Sequence, residues 1–391
     1  MFAVFKKCEI SSMSVVIPQK EINIYDELQY YENSIKKVDR VRKIAGFHKR
    51  RVIDSNTTSA DLAIVAAETL IRDKNIDRNK IDFLIFVVQS PDYIAPSTSY
   101  YIHSKLGLSQ SCPCTDINQG CAGWVYGVFM AYSLIESGIC KNVLLLCADT
   151  PSKGIDVSNR YTAPIFGDGG VATFIQSGSK ETYFNIDTLS DGFEYLVSPF
   201  SANRFYDTDA FFREKLKKTS YKTEYGNKYF LNIDSSYMDG MEVFNFTINV
   251  VPKNIKALLE YTKNDIDDIE YLCLHQANKQ IITEVGRMCG FSEDKVPYYA
   301  FENFGNNTMC SIPTTIATLP ENSKKDKLLC SGFGNGLVCA SVLLDISHIK
   351  KIPLYEYEEM KDKYYDFPAH FNDKNLYIQY WQDKFNKSKE N

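Results

Sequence analysis

The chain has 391 residues, 44% hydrophobic and 24% charged, a globular balance that excludes a disordered chain. Its 44 Lys and Arg against 49 Asp and Glu leave a net charge of −5, the wrong field for a dedicated nucleic-acid binder. At roughly 150 residues per domain the length allows two or three domains or one large duplicated unit, and no apolar run reaches the roughly 18 residues of a spanning helix. The opening MFAVFKKCEI lacks the basic-then-apolar pattern of a secretion signal. The 11 cysteines are odd in number and scattered through strand-like and helix-like stretches, which predicts reduced, mostly buried thiols in a cytosolic protein.

In chain order, residues 59–73 read as an amphipathic helix, entered by Thr58 with Asp61 at capping-box spacing. IDFLIFVV at 81–88 is a continuous apolar strand. A helix-like stretch follows Cys121 to Ser137, and KNVLLLCAD at 141–149 is a second buried strand. FGDGGVA at 166–172 turns into a third, ATFI at 172–175. Residues 194–235 are aromatic and charged without a period and read as an insertion. The same order then returns. A helix at 252–263 opens on Pro252, and IEYLCL runs over 269–274. KDKLLCSG follows at 325–332, the turn FGNGLVCA at 333–340, and ASVLLDI at 340–346. Four elements recurring in one order predict a duplicated α/β core, with halves at 1–180 and 181–348 and an extension at 349–391. Short apolar strands alternating with helices predict largely parallel sheets covered on both faces. In the extension, Trp381, Tyr377, Tyr380 and Phe385 form a candidate helical face for packing on the body.

Three positions carry candidate chemistry. Cys121 lies in Asn118-Gln119-Gly120-Cys121-Ala122-Gly123-Trp124, a strand–turn–helix junction whose helix N-terminus favours thiolate and whose glycines allow close approach. A buried small cysteine fits this motif equally well. His275 ends one strand and opens the helix-like QANKQIITEV, at the strand C-terminal end where ligands gather in open α/β sheets; a polar cap is the plainer alternative. Asn306 sits in a Gly-Asn loop before SIPTTIATL and by itself signals only a turn. Cys112 and Cys114 form a C-x-C without a second pair, so no zinc site is expected. Between Lys36 and Arg51, eight basic residues face one acid, Asp39. They form either a steering patch for an acidic partner or a solvated surface.

The order QGCAGW, HQAN and FGNNTMCSIP resembles the Cys-His-Asn set of the ketoacyl-ACP synthase III family, condensing enzymes of the thiolase superfamily. AGFHKRRV at 45–52, TSADLA at 58–63, PDYIAPS at 91–97, IFGDG at 165–169 and GFGNG at 332–336 extend the similarity in family order. The resemblance implies a thiolase-like duplicated five-layer αβαβα fold. It implies a decarboxylative condensation in which Cys121 takes an acyl group from acyl-CoA or an acyl carrier protein and a malonyl thioester extends it, without metal or other cofactor. His275 and Asn306 would donate to the malonyl carbonyl, and the backbone N–H groups of Cys121 and Asn335 would hold the acyl-transfer oxyanion. Preorganised donors of this kind contribute about 3–4 kcal/mol each. Asn335 replaces a frequent family glycine, and Arg40 replaces a tryptophan that stacks on the CoA adenine. Arg160 matches an arginine near the CoA or carrier mouth. Ala95 replaces a phenylalanine that limits the acyl pocket, which predicts a longer or branched acyl chain.

The resemblance also implies a homodimer, built on a free edge strand beside the Cys121 helix. The insertion and tail point to a specialised pathway. The main alternative is a thiolase-fold acyltransferase that moves the acyl group to a non-malonyl acceptor. A cysteine hydrolase has a Cys-to-His separation near the roughly 130–150 residues of papain-like proteases, but Gln119 stands where a hydrolase elbow wants glycine. A silent partner subunit predicts a damaged triad, and all three residues are present.

Overall fold

The computed structural model describes residues 1–155, 163–198, 236–349 and 351–357, the backbone of 220–222 and 228–230, and residues 379, 382 and 383. Arg160, most of the 194–235 insertion and the aromatic set around Trp381 lie outside the described residues.

Among the described residues, eleven strands form the two main sheets. They are β1 (Phe2–Phe5), β2 (Cys8–Ile17), β3 (Phe83–Val87), β4 (Cys114–Ile117), β5 (Asn142–Asp149), β6 (Gly169–Ser177), β7 (Thr182–Thr188), β8 (Tyr271–Leu274), β9 (Leu328–Gly334), β10 (Val338–Leu344) and β11 (Leu354–Glu356). The first sheet runs β11-β2-β6-β5-β3-β4 and the second β1-β7-β10-β9-β8. Four strands keep one order in both: β2-β6-β5-β3 matches β7-β10-β9-β8, and each pairs antiparallel, antiparallel, parallel along the row. The fold is α/β and thiolase-like.

The sheets are mixed, which corrects the expectation of largely parallel ones. Apolar runs report burial on both faces, and burial carries no information about a neighbour's direction. β9 and β10 make the point, since residues 335–337 alone join them as a hairpin. The two chain ends also cross over: β1 pairs with β7 in the second sheet, and β11 pairs with β2 in the first. Boundaries at 180 and 348 do not anticipate that exchange.

The helices are α1 (Ile35–Ala45), α2 (Ser59–Lys74), α3 (Thr98–Leu106), α4 (Gly123–Glu136), α5 (Gly240–Thr262), α6 (Lys279–Cys289), α7 (Tyr299–Phe304) and α8 (Ser311–Ala317). α2 starts on the predicted box, with the Thr58 side chain and the Asp61 side chain each bonding the other's backbone N–H. α5 begins twelve residues before the predicted start and carries Pro252 inside it. Proline suits a first turn, but buried Phe246, Thr247 and Val251 hold this helix across it. α2 and α3 cover the outer face of the first sheet, α5 and α6 that of the second, and α4 and α8 lie between the sheets. Five layers result. The middle layer is apolar, with Trp124, Val128, Tyr132, Ile312 and Ile316 buried, and Trp124 Nε1 donates to Thr173 Oγ1 at 3.1 Å.

Candidate active site

The nucleophile candidate stands where β4 ends and α4 begins. Gly123 N donates to Gly120 O at 2.6 Å, closing a tight turn around Cys121. All eleven cysteines are free, and only Cys114 and Cys121 are not fully buried. The end of β9 lies directly on the turn. A Cβ at Gly334 would stand 2.9 Å from Cys121 Cβ and 3.2 Å from Sγ, so glycine there permits the approach. Burial, and next the Asp149 charge, push the Cys121 thiol up to about 12, while its own backbone hydrogen bond pulls the other way. This shift runs against the thiolate expected from the helix N-terminus: desolvation and the Asp149 charge both favour the thiol.

His275 follows the last residue of β8 and is 2% exposed. Its N–H donates to Ser331 O at 2.8 Å, which fixes the backbone to β9, and its ring meets Phe333 edge-on at 5.5 Å. Nδ1 lies 2.8 Å from Ser311 Oγ. Burial pushes the imidazole down to about 3, with a hydrogen bond to the Thr308 backbone opposing, so the ring is neutral at pH 7. The rest of HQAN is scaffold. Gln276 Nε2 donates to Leu274 O at 2.9 Å and its Oε1 accepts from Phe301 N at 3.2 Å, and Asn278 caps α6 through Ile281 N at 2.8 Å.

Asn306 is buried in the loop between α7 and α8. Its Oδ1 accepts from Thr308 N at 3.0 Å, which leaves Nδ2 as the donating end. Its backbone is held by the first half's glycine turn: Asn306 N donates to Ile165 O at 2.6 Å, and Gly167 N to Asn306 O at 3.1 Å. Asp168 of the same turn, raised to about 6 by burial, clasps Ile53 N at 2.8 Å and Ser152 N at 3.0 Å. The two glycine turns thus serve opposite halves, FGDG gripping the Asn306 loop and FGNG reaching Cys121.

The three candidates form one cluster. Phe333 touches His275 and precedes Gly334, which abuts Cys121, while Ser311 meets the His275 ring five residues after Asn306 in the same loop and helix start. Asn335 also joins it, since its Oδ1 lies where a Cβ on Gly120 would stand, 2.6 Å from which sits Gln89 Oε1. That Asn335 oxygen is buried without a hydrogen-bond partner among the described residues.

Two expected residues stand apart. Arg40 is exposed on α1, and Ala95 is exposed in the loop before α3. An exposed Ala95 does not line an enclosed acyl pocket within one chain; only a covering surface from another copy would make it do so. Half of the basic stretch is neutralised. Arg50 forms a buried fork on Glu27 at 2.5 and 2.7 Å, Arg51 and Lys49 pair with Glu21, and Lys37 pairs with Glu32. Lys36, Arg40 and Lys43 remain exposed without an ion pair among the described residues. Sequence reasoning missed Asp149, Thr308 and Ser311. Their side chains are ordinary polar types, and only the fold brings them beside the triad. Among the described residues no three His, Cys, Asp or Glu side chains are grouped to hold a metal ion, and no helix is long and apolar enough to cross a membrane.

Residues 115–192 match the family described as 3-oxoacyl-[acyl-carrier-protein (ACP)] synthase III, and residues 259–346 match its C-terminal part. A Campylobacter jejuni protein named 3-oxoacyl-[acyl-carrier-protein] synthase 3 is 38% identical over 359 residues, which cover 91% of this chain and 99% of that one. The chain belongs to the 3-oxoacyl-[acyl-carrier-protein] synthase III family. It is an acyltransferase that catalyses the β-ketoacyl condensation of fatty-acid biosynthesis. A β-ketoacyl-[acyl-carrier-protein] synthase III of Clostridium novyi is 32% identical over 307 residues, 78% of this chain and 89% of its own. The crystal structure of a 3-oxoacyl-(acyl-carrier protein) synthase from Burkholderia xenovorans superposes with a TM-score of 0.81 at 30% identity, covering 91% of this synthase and 99% of that chain.

Proposed function

We propose that Cys121, His275 and Asn306 are the catalytic residues of the condensation, working in two half-reactions. In the first, Cys121 Sγ attacks an acyl thioester, the thiol's proton passes through the neutral His275 imidazole to the leaving thiol, and an acyl-cysteine forms. The backbone N–H groups of Cys121 and Asn335 hold the oxyanion. In the second, a malonyl thioester loses carbon dioxide, and donors from His275 and Asn306 Nδ2 hold the enolate oxygen. The enolate carbon attacks the acyl-cysteine, a carbon–carbon bond forms, and the Cys121 thiolate leaves and takes up a proton from water. The product is a 3-oxoacyl thioester.

What carries this reading is the shared cluster: a neutral histidine and an amide with its donating end set by Thr308, beside the turn that bears the sulfur. Transfer to a non-malonyl acceptor has no use for an oriented Asn306 amide, so condensation is the better reading. Acyl-CoA or acyl carrier protein would approach over exposed Lys36, Arg40 and Lys43, and Arg160 is proposed for the same mouth. A homodimer would extend the first sheet at β4, an edge strand that among the described residues pairs only with β3. Eleven free cysteines suit a reducing, cytosolic compartment.

The test is isotope-labelled malonyl-CoA and malonyl-ACP with trapping of the released carbon dioxide. Release that falls on the order of 10²-fold or more in Asn306→Ala is expected from loss of one oxyanion donor. Acyl transfer persisting in that variant with no carbon dioxide release by wild type would reverse the assignment in favour of the acyltransferase.

A further inference from the structure

The Asn335 side chain occupies space next to the nucleophile that another residue would ordinarily fill. Asn335 follows Gly334, the last residue of β9, in the turn that leads to β10. Its amide lies against the residue before Cys121: a Cβ at Gly120 would stand 2.1 Å from Asn335 Oδ1 and 2.6 Å from Gln89 Oε1. Gly120 is not among the residues with positive φ, so its backbone would accept a side chain and only the space is taken. The bulk missing at position 120 is thus supplied by Asn335, from the other half of the molecule.

Asn335 Oδ1 is buried and accepts no hydrogen bond among the described residues. Gln89 presents an oxygen to the same spot and so gives it no donor. An unpaired buried amide oxygen is destabilising. Here it stands beside the turn that bears the sulfur, on a residue whose backbone N–H is assigned to the acyl-transfer oxyanion. The far wall is firm as well. Ser90, next to Gln89, donates to Asp149 Oδ1 from Oγ at 2.5 Å and from N at 3.0 Å. The Asn335 amide therefore packs on the Cys121 turn and on the anchored end of β3, and with it the backbone that carries the second oxyanion donor is held in place.

We propose that the Asn335 side chain is a positioning residue for acyl transfer, seating its own backbone N–H beside that of Cys121 so that both face the oxyanion. The proposal rests on the oxyanion role given to those two N–H groups above. It separates the half-reactions. Acylation depends on this packing, whereas carbon dioxide release depends on the His275 and Asn306 side chains, which are held by Ser311 and Thr308 instead.

The experiment compares Asn335→Ala, Asn335→Gly, Gly120→Ala and the double variant Gly120→Ala with Asn335→Ala in the full-length enzyme, each checked by its melting curve. Single-turnover acylation of Cys121 is followed by intact mass and peptide mapping across a panel of straight and branched acyl-CoAs. Carbon dioxide release from malonyl-CoA is measured on enzyme already acylated. In Asn335→Ala the maximal acylation rate falls on the order of 10- to 100-fold, as a small misplacement of one donor would cause, with the half-saturating acyl-CoA concentration little changed. Release stays near wild type, and the melting temperature is not lowered, since no hydrogen bond is lost. Asn335→Gly loses at least as much acylation, because glycine also frees the turn. Gly120→Ala is impaired by the clash with Oδ1, and the double variant acylates faster than Gly120→Ala, because the new methyl enters the space the amide leaves. Wild-type acylation in Asn335→Ala, acylation and release falling in step, or a double variant no faster than Gly120→Ala would overturn the proposal, provided wild type is acylated on Cys121. Wild type without an adduct on Cys121 would overturn the underlying site assignment, and the proposal with it.

Discussion

Gly334→Ala tests the contact on which the nucleophile's position depends. Gly334 is not among the residues with positive φ, so alanine meets no backbone penalty. Its methyl would stand 2.9 Å from Cys121 Cβ and 3.2 Å from Sγ. Ordinary carbon contacts lie at about 3.5–4.0 Å, so Cys121 or β9 must move by roughly half an ångström or more. Overpacking of this kind costs about 1–3 kcal/mol of stability. A sulfur displaced by up to about 1 Å loses on the order of 10²-fold in attack rate. Single-turnover acylation followed by intact mass gives the rate, and thermal unfolding gives the stability. Gly332→Ala, whose Cβ would lie 2.7 Å from Ala122 Cα, is expected to behave alike. Gly240→Ala, with nothing within 4 Å, is expected to change neither quantity. Wild-type acylation in Gly334→Ala would refute the reasoning.

The buried imidazole makes a pH prediction. Unfolded His275 protonates near pH 6.5 while the folded ring resists until about 3, so the unfolded state gains protons first and stability falls as pH drops through that window. From pH 7 to pH 5 wild type is expected to lose about 2 kcal/mol relative to His275→Asn in urea titrations; a parallel pH dependence of the two proteins would contradict the shift. Gly167→Ala would drive its methyl into Phe304 O and leave it 3.1 Å from Arg51 O. It is expected to lose about 2–3 kcal/mol and to impair carbon dioxide release more than acylation, because it displaces the Asn306 loop. Sedimentation at micromolar concentration is expected to give a dimer; a monodisperse monomer would refute pairing through β4.

The duplicated core was legible because buried strands and glycine turns recur in one order; Cys121 and His275 do lie at strand-to-helix junctions, whereas Asn306 lies in a loop between two helices, α7 and α8. Strand direction was not legible, since a run such as Val143–Leu146 is apolar whichever way its neighbours point. The Cys121 motif announced a helix N-terminus but not the desolvation that opposes it, because the strand that closes on the sulfur, β9, comes from far along the chain. Pro252 misplaced a helix start for a similar reason: tertiary packing carries α5 through a residue that ends most helices. Ser311 gave no signal, as its hydroxyl meets the His275 ring only in the fold.

Peptide mapping of the acylated enzyme tests the central assignment most directly. After incubation with a panel of acyl-CoAs and acyl carrier proteins, a single acyl adduct on the peptide containing Cys121 is expected. Adding a malonyl thioester should discharge it with release of carbon dioxide. An adduct on any of the other ten cysteines, or one that malonyl thioester leaves in place, would contradict the account.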